Sequence, residues 1–197
     1  NGSSWSALST GVNASVSDLA VLPGGDLIVG GTFATAGGVS AKGIARWDGV
    51  SFSALGSGLE GQAPRVFGMT VLANGDLVAG GWFSSAGGQA AINIARWDGA
   101  SWSALGTGVD GSVNALAVLR SGDLVAGGTF VTVGGMVAPY IARWGCVSSP
   151  CRADVNGDGE LTFDDIALFV GFYNASDPRA DFNGDTEYTF DDITLFV

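Results

Sequence analysis

The sequence contains no histidine, and its single lysine is Lys42. Only 14% of its 197 residues are charged, and no run of apolar residues is long enough to span a membrane. Without histidine, general acid–base catalysis would have to rely on carboxylates. A glycosidase-like carboxylate pair is compatible with this composition, but turn chemistry explains the N-terminal acids more simply. We therefore predict that the chain is not an enzyme.

The negative charge is concentrated towards the C-terminus. The net charge of −11 arises from eight acids and six bases in residues 1–146, and from eleven acids and two bases in residues 147–197. Nucleic-acid binding requires a basic face that meets the phosphates. The sequence encodes no such face, so we exclude nucleic acid as a partner.

Cysteine is scarce as well, and only Cys146 and Cys151 occur. Their spacing, in a chain without histidine, lacks the usual pattern of a zinc site. We predict a local disulfide between them, and the alternative is two free buried thiols. A disulfide would indicate an oxidising compartment, outside the cell or at its surface.

Glycine is abundant, at 33 residues, and this favours turns and tightly packed strands over helix. The chain also repeats itself, which is the signature of an array of similar structural units. Three markers recur, the last two at offsets of 50 and then 47 residues: segments 5–8, 52–55 and 102–105; segments 25–31, 75–81 and 122–128; and segments 44–47, 94–97 and 141–144.

Each repeat unit predicts four short strands. In the first unit these are residues 16–22, 27–33, 43–47 and 51–55, and the apolar second strand is expected to be buried on both faces. Four strands in about 50 residues are typical of a β-propeller blade. We predict a mainly β fold, a partial propeller of about three four-stranded blades at residues 14–55, 64–105 and 113–144, within a domain of residues 1–145.

Segment 5–8 matches a fourth strand but has no blade before it, and residues 113–144 lack a fourth strand. Closed propellers need at least four blades. One interpretation is that further blades precede residue 1. The alternative is that segment 5–8 supplies the missing strand of the third unit, closing a ring that would still be too small.

The units resemble kelch repeats. In the second unit an apolar strand ends in Gly80-Gly81, an aromatic–acid pair follows at Trp97-Asp98, and Trp102 opens the last strand. The resemblance covers residues 1–144 and implies a β-propeller. The units are also similar to propeller-type repeats of secreted bacterial surface proteins.

Several repeated residues imitate binding motifs. Segments 56–61 and 106–111 fit a dinucleotide-binding glycine pattern, but strand-like sequence follows each, so we predict inter-blade loops. Repeated acids are predicted to occupy turns and to bond their own backbone: Asp26, Asp76, Asp123, Asp48 and Asp98. Repeated arginines are predicted to pack on aromatic rings and to pair with acids between strands: Arg46, Arg96 and Arg143.

The acidic tail carries two calcium-binding loops of the EF-hand type, in which oxygen ligands occupy positions 1, 3, 5, 7 and 12. The first loop supplies Asp154, Asn156, Asp158, the Glu160 carbonyl and Asp165, and the second supplies Asp181, Asn183, Asp185, the Glu187 carbonyl and Asp192. Gly159 permits the sharp turn at position 6, whereas Thr186 replaces it in the second loop, so we expect the second site to be weaker. The alternative is a pair of metal-free acidic turns, in which the clustered carboxylates would repel one another.

A helix is expected after each loop, with Ile166, Phe169, Val170 and Tyr173 on one face of the first. Prolines precede both loops, at Pro150 and Pro178, and argue against an entering helix. A loop followed by one helix, duplicated and with Asp at position 12, resembles a dockerin type I module over residues 152–197. A linker of residues 146–151 would precede it.

The dockerin resemblance implies two bound calcium ions and calcium-dependent docking to a cohesin-like protein or another surface scaffold. The predicted docking contacts are the matched pairs Phe163-Asp164 and Phe190-Asp191. We therefore predict a secreted, bacterial, non-catalytic binding and anchoring protein, located outside the cell or at its surface, with a glycan as a candidate ligand and a role in a polysaccharide-degrading assembly. Two alternatives are a fragment of a carbohydrate-active enzyme, with its catalytic residues in other blades, and a structural cell-surface stalk.

Overall fold

The computed structural model describes residues 4–145 and 163–175. The chain divides into two units, residues 1–143 and 144–197, and each unit is described by itself. The first unit is built of strands, and the described part of the second contains a helix.

The strands are short because apolar runs alternate with turns rich in glycine, aspartate and serine. Over residues 4–145 they are β1 (Val16–Val21), β2 (Leu27–Gly31), β3 (Thr35–Ala36), β4 (Val39–Ser40), β5 (Ile44–Trp47), β6 (Phe52–Ala54), β7 (Leu59–Glu60), β8 (Arg65–Val71), β9 (Leu77–Trp82), β10 (Ser85–Ala86), β11 (Gln89–Ala90), β12 (Ile94–Trp97), β13 (Trp102–Ala104), β14 (Val113–Val118), β15 (Leu124–Gly128), β16 (Thr132–Val133), β17 (Met136–Val137) and β18 (Ile141–Trp144).

Each repeat unit forms an antiparallel sheet, and we call these sheets with their loops blades 1, 2 and 3. The strand order is β1-β2-β5-β6 in blade 1 and β8-β9-β12-β13 in blade 2. Over the described residues, blade 3 contains three strands, β14-β15-β18. Strands β2 and β9 are buried along most of their length, as the sequence predicts. The fold is therefore mainly β and propeller-like.

Segment 5–8 departs from its predicted strand structure. In blades 1 and 2 the fourth strands β6 and β13 pair with β5 and β12. In the described part of the chain, segment 5–8 forms no strand, and it does not join the sheet of blade 3. The interpretation that segment 5–8 supplies the missing strand of the third unit is therefore wrong for the described residues.

Successive blades pack through their first strands. Strand β8 lies between β1 and β14. The buried cluster that joins the first two blades includes Ile28 and Ile44 of blade 1 and Val66 and Met69 of blade 2. The backbone N–H of Met69 also donates to Asp18 Oδ2 at 2.6 Å. Because burial of apolar surface is the main favourable term in folding, this contact holds neighbouring blades together.

Paired glycines at the end of each second strand make the packing possible. A Cβ atom on Gly80 would lie 2.5 Å from the Val113 side chain of blade 3, so this glycine admits the next blade. A Cβ atom on Gly81 would collide with the backbone carbonyl of Arg65, beside an irregularity in the register of β8. The second glycine therefore permits close approach within the blade.

An arginine–aspartate pair crosses each sheet. Arg96 Nε lies 2.6 Å from Asp76 Oδ2, and both side chains are largely buried. The same pair recurs as Arg46 with Asp26 at 2.6 Å and Arg143 with Asp123 at 3.2 Å. The predicted ion pairs are confirmed. These three aspartates were predicted to bond their own backbone in turns. They do follow turns, but their carboxylates pair with arginine across the sheet.

Asp48 and Asp98 close hairpin turns through their own backbone, as predicted. Asp98 Oδ1 accepts hydrogen bonds from the N–H groups of Ala100 and Ser101 at 2.8 and 2.7 Å, and Asp48 makes the equivalent bonds to Val50 and Ser51. These bonds favour the ionised carboxylate, so they lower the pKa of Asp98, and the Ser101 N–H is the largest cause.

Helix α1 (Phe163–Asn174) occurs where the sequence predicts a helix after the first calcium loop. Phe169 is buried, and its ring centroid lies 6.0 Å from that of Tyr173. Ile166 and Val170 were predicted on the same apolar face but are exposed, so the buried stripe is narrower than the sequence suggests. Among the described residues, no helix combines the length and the hydropathy needed to cross a membrane.

We expect Gly81→Ala to lower the free energy of unfolding by about 2 kcal/mol, because the added Cβ forces β8 and β9 apart. Gly24→Ala is the matched control, since no described atom lies within 4 Å of a Cβ placed there. Such open surface changes shift stability by less than about 0.5 kcal/mol. Urea unfolding followed by tryptophan fluorescence measures both variants, and equal losses would contradict the role given to Gly81.

Candidate functional site

The predicted calcium and docking residues lie mostly outside the described residues, as do both cysteines: Cys146, Cys151, Asp154, Asn156, Asp158, Glu160, Asp181, Asn183, Asp185, Glu187, Phe190, Asp191 and Asp192. Phe163, Asp164 and Asp165 open α1, where the backbone alone is described. The helix thus begins at position 10 of the predicted loop and places Asp165, the predicted ligand at position 12, in its first turn. Elsewhere in the described part of the chain, no cluster of three His, Cys, Asp or Glu side chains could hold a metal ion.

The two glycine patterns that imitate a dinucleotide site are inter-blade loops, as predicted. Residues 56–61 lead through the short strand β7 towards β8, and residues 106–111 lead to β14. Gly58 is required for packing here, because its φ is +78° and a Cβ would approach the Ala41 carbonyl to 2.8 Å. A strand follows each pattern where a phosphate-binding helix would be needed.

A groove surrounds the loop of residues 61–64 that joins β7 to β8, and we call it the blade-2 groove. One part is a cavity of about 440 Å³ between blades 1 and 2, lined by Lys42 and Glu60 among others. The other part is a cavity of about 340 Å³ lined by Gln62, Phe67, Trp82 and Ser112. Ala63 and Arg65 line both cavities, so the two parts adjoin each other at this segment.

The strands of blade 2 position the aromatic end of this groove. Arg65 begins β8 and Trp82 ends β9, and the two residues are direct cross-strand partners. Directly opposed residues project from the same face of an antiparallel sheet. Trp82 remains 48% exposed, although an indole of this size is usually buried on average.

The other end of the groove is charged. Lys42 Nζ donates to Glu60 Oε1 at 3.2 Å, and Ser85 Oγ donates to Glu60 Oε2 at 3.2 Å. These hydrogen bonds, with that from Lys42 as the larger cause, lower the pKa of Glu60. The carboxylate is therefore ionised at neutral pH, which suits binding better than it suits a general acid.

The groove lacks the paired carboxylates of a glycosidase, as far as its described lining shows. Glu60 is the only carboxylate among the residues that line the two cavities. Glycoside hydrolysis usually employs two carboxyl groups about 5–10 Å apart. The described groove instead offers aromatic surface, cations and an amide, which together can bind a neutral, hydroxyl-rich ligand.

Three groove residues break the sequence repeat. Trp82 occupies the position of Thr32 in blade 1 and Thr129 in blade 3. Phe67 likewise replaces Ser17 and Asn114, and Arg65 replaces Ser15 and Ser112. The other two blades fold with small polar residues there, so the fold does not require the large ones. Reasoning from the repeats missed this site, and the signal that could have revealed it was the departure of blade 2 from the pattern.

Comparison with known proteins gives limited matches. A family model described as a β-propeller domain of unknown function, DUF5122, matches residues 72–97, which include β9 and β12. The extracellular domain of BT4673 from B. thetaiotaomicron is a similar solved structure, with a TM-score of 0.41 and 11% identity, over 64% of this chain and 16% of that chain. No curated protein matches the sequence. The family-model match supports a β-propeller, and the kelch and dockerin resemblances remain predictions.

Proposed function

We propose that the chain is a secreted, non-catalytic binding protein whose blade-2 groove binds carbohydrate and whose tail binds calcium and docks onto a partner protein. The observation that carries the carbohydrate proposal is the exposed indole of Trp82 beside Arg65, at positions where the other blades have small residues. The calcium proposal depends on the two loop sequences.

Sugar rings suit this groove chemically. One face of a sugar ring carries C–H groups, which pack against an aromatic ring, while its hydroxyls exchange hydrogen bonds with polar side chains. Trp82 offers the aromatic surface, and Arg65 and Gln62 offer hydrogen-bond donors nearby. The mixed arrangement favours a glycan over a purely apolar ligand.

The size of the groove favours an oligosaccharide over a single sugar. Its two parts measure about 440 and 340 Å³ and share Ala63 and Arg65 in their lining. Small-molecule sites commonly measure about 300–1,000 Å³. The Lys42–Glu60 pair at the far end could exchange hydrogen bonds with a second or third sugar unit, because both side chains are substantially exposed.

The tail supplies a separate, calcium-dependent function. Two acidic loops with matching ligand positions, at 154–165 and 181–192, gather more carboxylates than an isolated turn tolerates without a cation. The start of α1 at Phe163 fits a calcium loop that ends in a helix. The dockerin resemblance suggests a cohesin-like partner, an extracellular location and a polysaccharide-degrading assembly.

We expect the full chain to migrate more slowly in native gels that contain one of three polysaccharides: xylan, xyloglucan or arabinogalactan. Trp82→Ala should weaken that binding about tenfold, a loss of about 1.4 kcal/mol, because it removes the stacking surface. Trp82→Phe should retain part of the affinity, since it keeps an aromatic ring.

The matched control is Val50→Ala, which removes an exposed apolar side chain at the β5–β6 hairpin, away from the groove. It should migrate as the wild type does in every gel. Retardation that survives Trp82→Ala, or no retardation by any of the three polysaccharides, would contradict the carbohydrate proposal.

We expect calorimetric titration of the full chain with calcium to show two sites of unequal affinity. The first loop should be the tighter site, because Gly159 favours its turn. Asp154→Ala removes the position-1 ligand of that loop and should abolish this site. Asp181→Ala should abolish the weaker one. Chelation with EDTA should reduce the helical circular dichroism at 222 nm while the strand signal persists.

Magnesium serves as the ion control, because a loop of this type selects calcium through its higher coordination number. Absence of calcium binding, or a helical signal unchanged by EDTA, would contradict the calcium proposal. Neither result bears on carbohydrate binding by the blade-2 groove, so the two parts of the proposed function are tested independently.

A further inference from the structure

Arg65 is a cation without an acidic partner in the described part of the chain. The arginine that crosses each sheet does pair with an aspartate: Arg46, Arg96 and Arg143. Lys42 pairs with Glu60. Among the described residues, by contrast, no carboxylate forms an ion pair with Arg65, and this residue is exposed. Its charge is therefore available to a ligand.

The position of Arg65 places this charge within the blade-2 groove. Arg65 lines both cavities of the groove. Trp82 and Gln62 line one of these cavities with it. Lys42 and Glu60 line the other. A ligand in either part of the groove therefore lies near the guanidinium of Arg65.

The groove is positively charged, although the chain as a whole is acidic. Its charged lining residues are two cations, Lys42 and Arg65, and one carboxylate, Glu60, which leave a balance of +1. The whole chain has a net charge of −11. A local charge of the opposite sign attracts an anionic ligand to that part of the surface. The single excess charge matches a ligand that carries one negative group.

Glu60 makes different contacts from its counterparts in the other repeats. Asn13 Oδ1 and Asp110 Oδ1 each accept two backbone N–H groups, at 2.8 and 2.9 Å, from the segment that follows the second strand of a blade. Glu60 occupies the equivalent position, but its carboxylate accepts from Lys42 Nζ and Ser85 Oγ. Its negative charge therefore lies in the lining of the groove, where Lys42 neutralises it.

The guanidinium of Arg65 suits a carboxylate better than a sugar hydroxyl. Its planar N–H donors can form two parallel hydrogen bonds with a carboxylate, and such charged bonds are stronger than neutral ones. Arg65 and Trp82 are cross-strand partners on the same face of blade 2. A sugar that stacks on Trp82 and carries a carboxylate, a uronic acid, can therefore reach Arg65 with that group.

We propose that the blade-2 groove binds an acidic oligosaccharide, in which one uronic acid is flanked by neutral sugars. This inference rests on the carbohydrate proposal above and names its ligand class. The uronic acid stacks on Trp82 and pairs its carboxylate with Arg65, while neutral units occupy the rest of the groove. A second carboxylate is disfavoured, because Lys42 is already paired and the charge of Glu60 repels it.

The test is isothermal titration calorimetry of the full chain, in calcium-containing buffer, with matched pairs of polysaccharides. The probes are glucuronoxylan and a glucuronic-acid-bearing arabinogalactan, each beside a form whose carboxyl groups have been reduced to alcohols. We expect at least one natural polymer to bind about fivefold more tightly than its reduced form, as for a strong exposed ion pair. High salt should shrink this ratio, because it screens exposed charges. Polygalacturonate, with a carboxylate on every unit, should bind more weakly than that natural polymer.

Arg65→Gln should make the natural and reduced polymers bind equally. Arg65→Lys should keep part of the difference, because it retains the charge without the planar fork. Serine occupies this position in blades 1 and 3, as Ser15 and Ser112, so the substitutions should leave the melting temperature unchanged. Arg120→Gln is the matched control, since no described carboxylate pairs with Arg120 and it lines neither cavity. This control should keep the fivefold ratio.

Equal binding of the natural and reduced polymers would overturn this inference and leave the carbohydrate proposal intact. A preference that survives Arg65→Gln, or that Arg120→Gln removes just as completely, would also overturn it. Absence of binding to all of these polymers and to xyloglucan would contradict the carbohydrate proposal itself, and this inference with it.

Discussion

The rest of the first unit depends on the burial of one blade's sheet face against the first strand of the next blade. A four-stranded sheet of such short strands cannot bury both of its faces alone. Gly80 allows Val113 to reach the sheet of blade 2, and Met69 is bound to blade 1 by both its side chain and its backbone N–H. The same kind of surface therefore stabilises both contacts between successive blades.

The residues that stabilise the blades differ from the residues that line the blade-2 groove. The glycine pairs, the arginine–aspartate pairs and the aspartate turns recur because each blade needs them. Trp82, Phe67 and Arg65 occupy positions where blades 1 and 3 function with small polar residues. A ligand site can thus arise on one blade without disturbing the packing that all blades share.

The sequence alone could predict the repeat period, the strands of blades 1 and 2 and the ion-pairing arginines, because periodicity and turn residues are local signals. It could not predict that Asp76 pairs with Arg96, since that contact joins strands 20 residues apart. The irregular structure of segment 5–8 was missed because strand propensity does not report whether a segment pairs with a sheet edge. The blade-2 groove was not predicted, because the prediction relied on residues that recur in each repeat. Trp82, Phe67 and Arg65 are residues that differ between the repeats.

Hydrogen exchange resolved along the chain tests the central claim, that inter-blade burial determines stability. The account predicts the slowest exchange in the amides of β9, which lies in the blade covered on both sides, and faster exchange in β15 and β18, where one face is open. Equal protection in the three blades would contradict it.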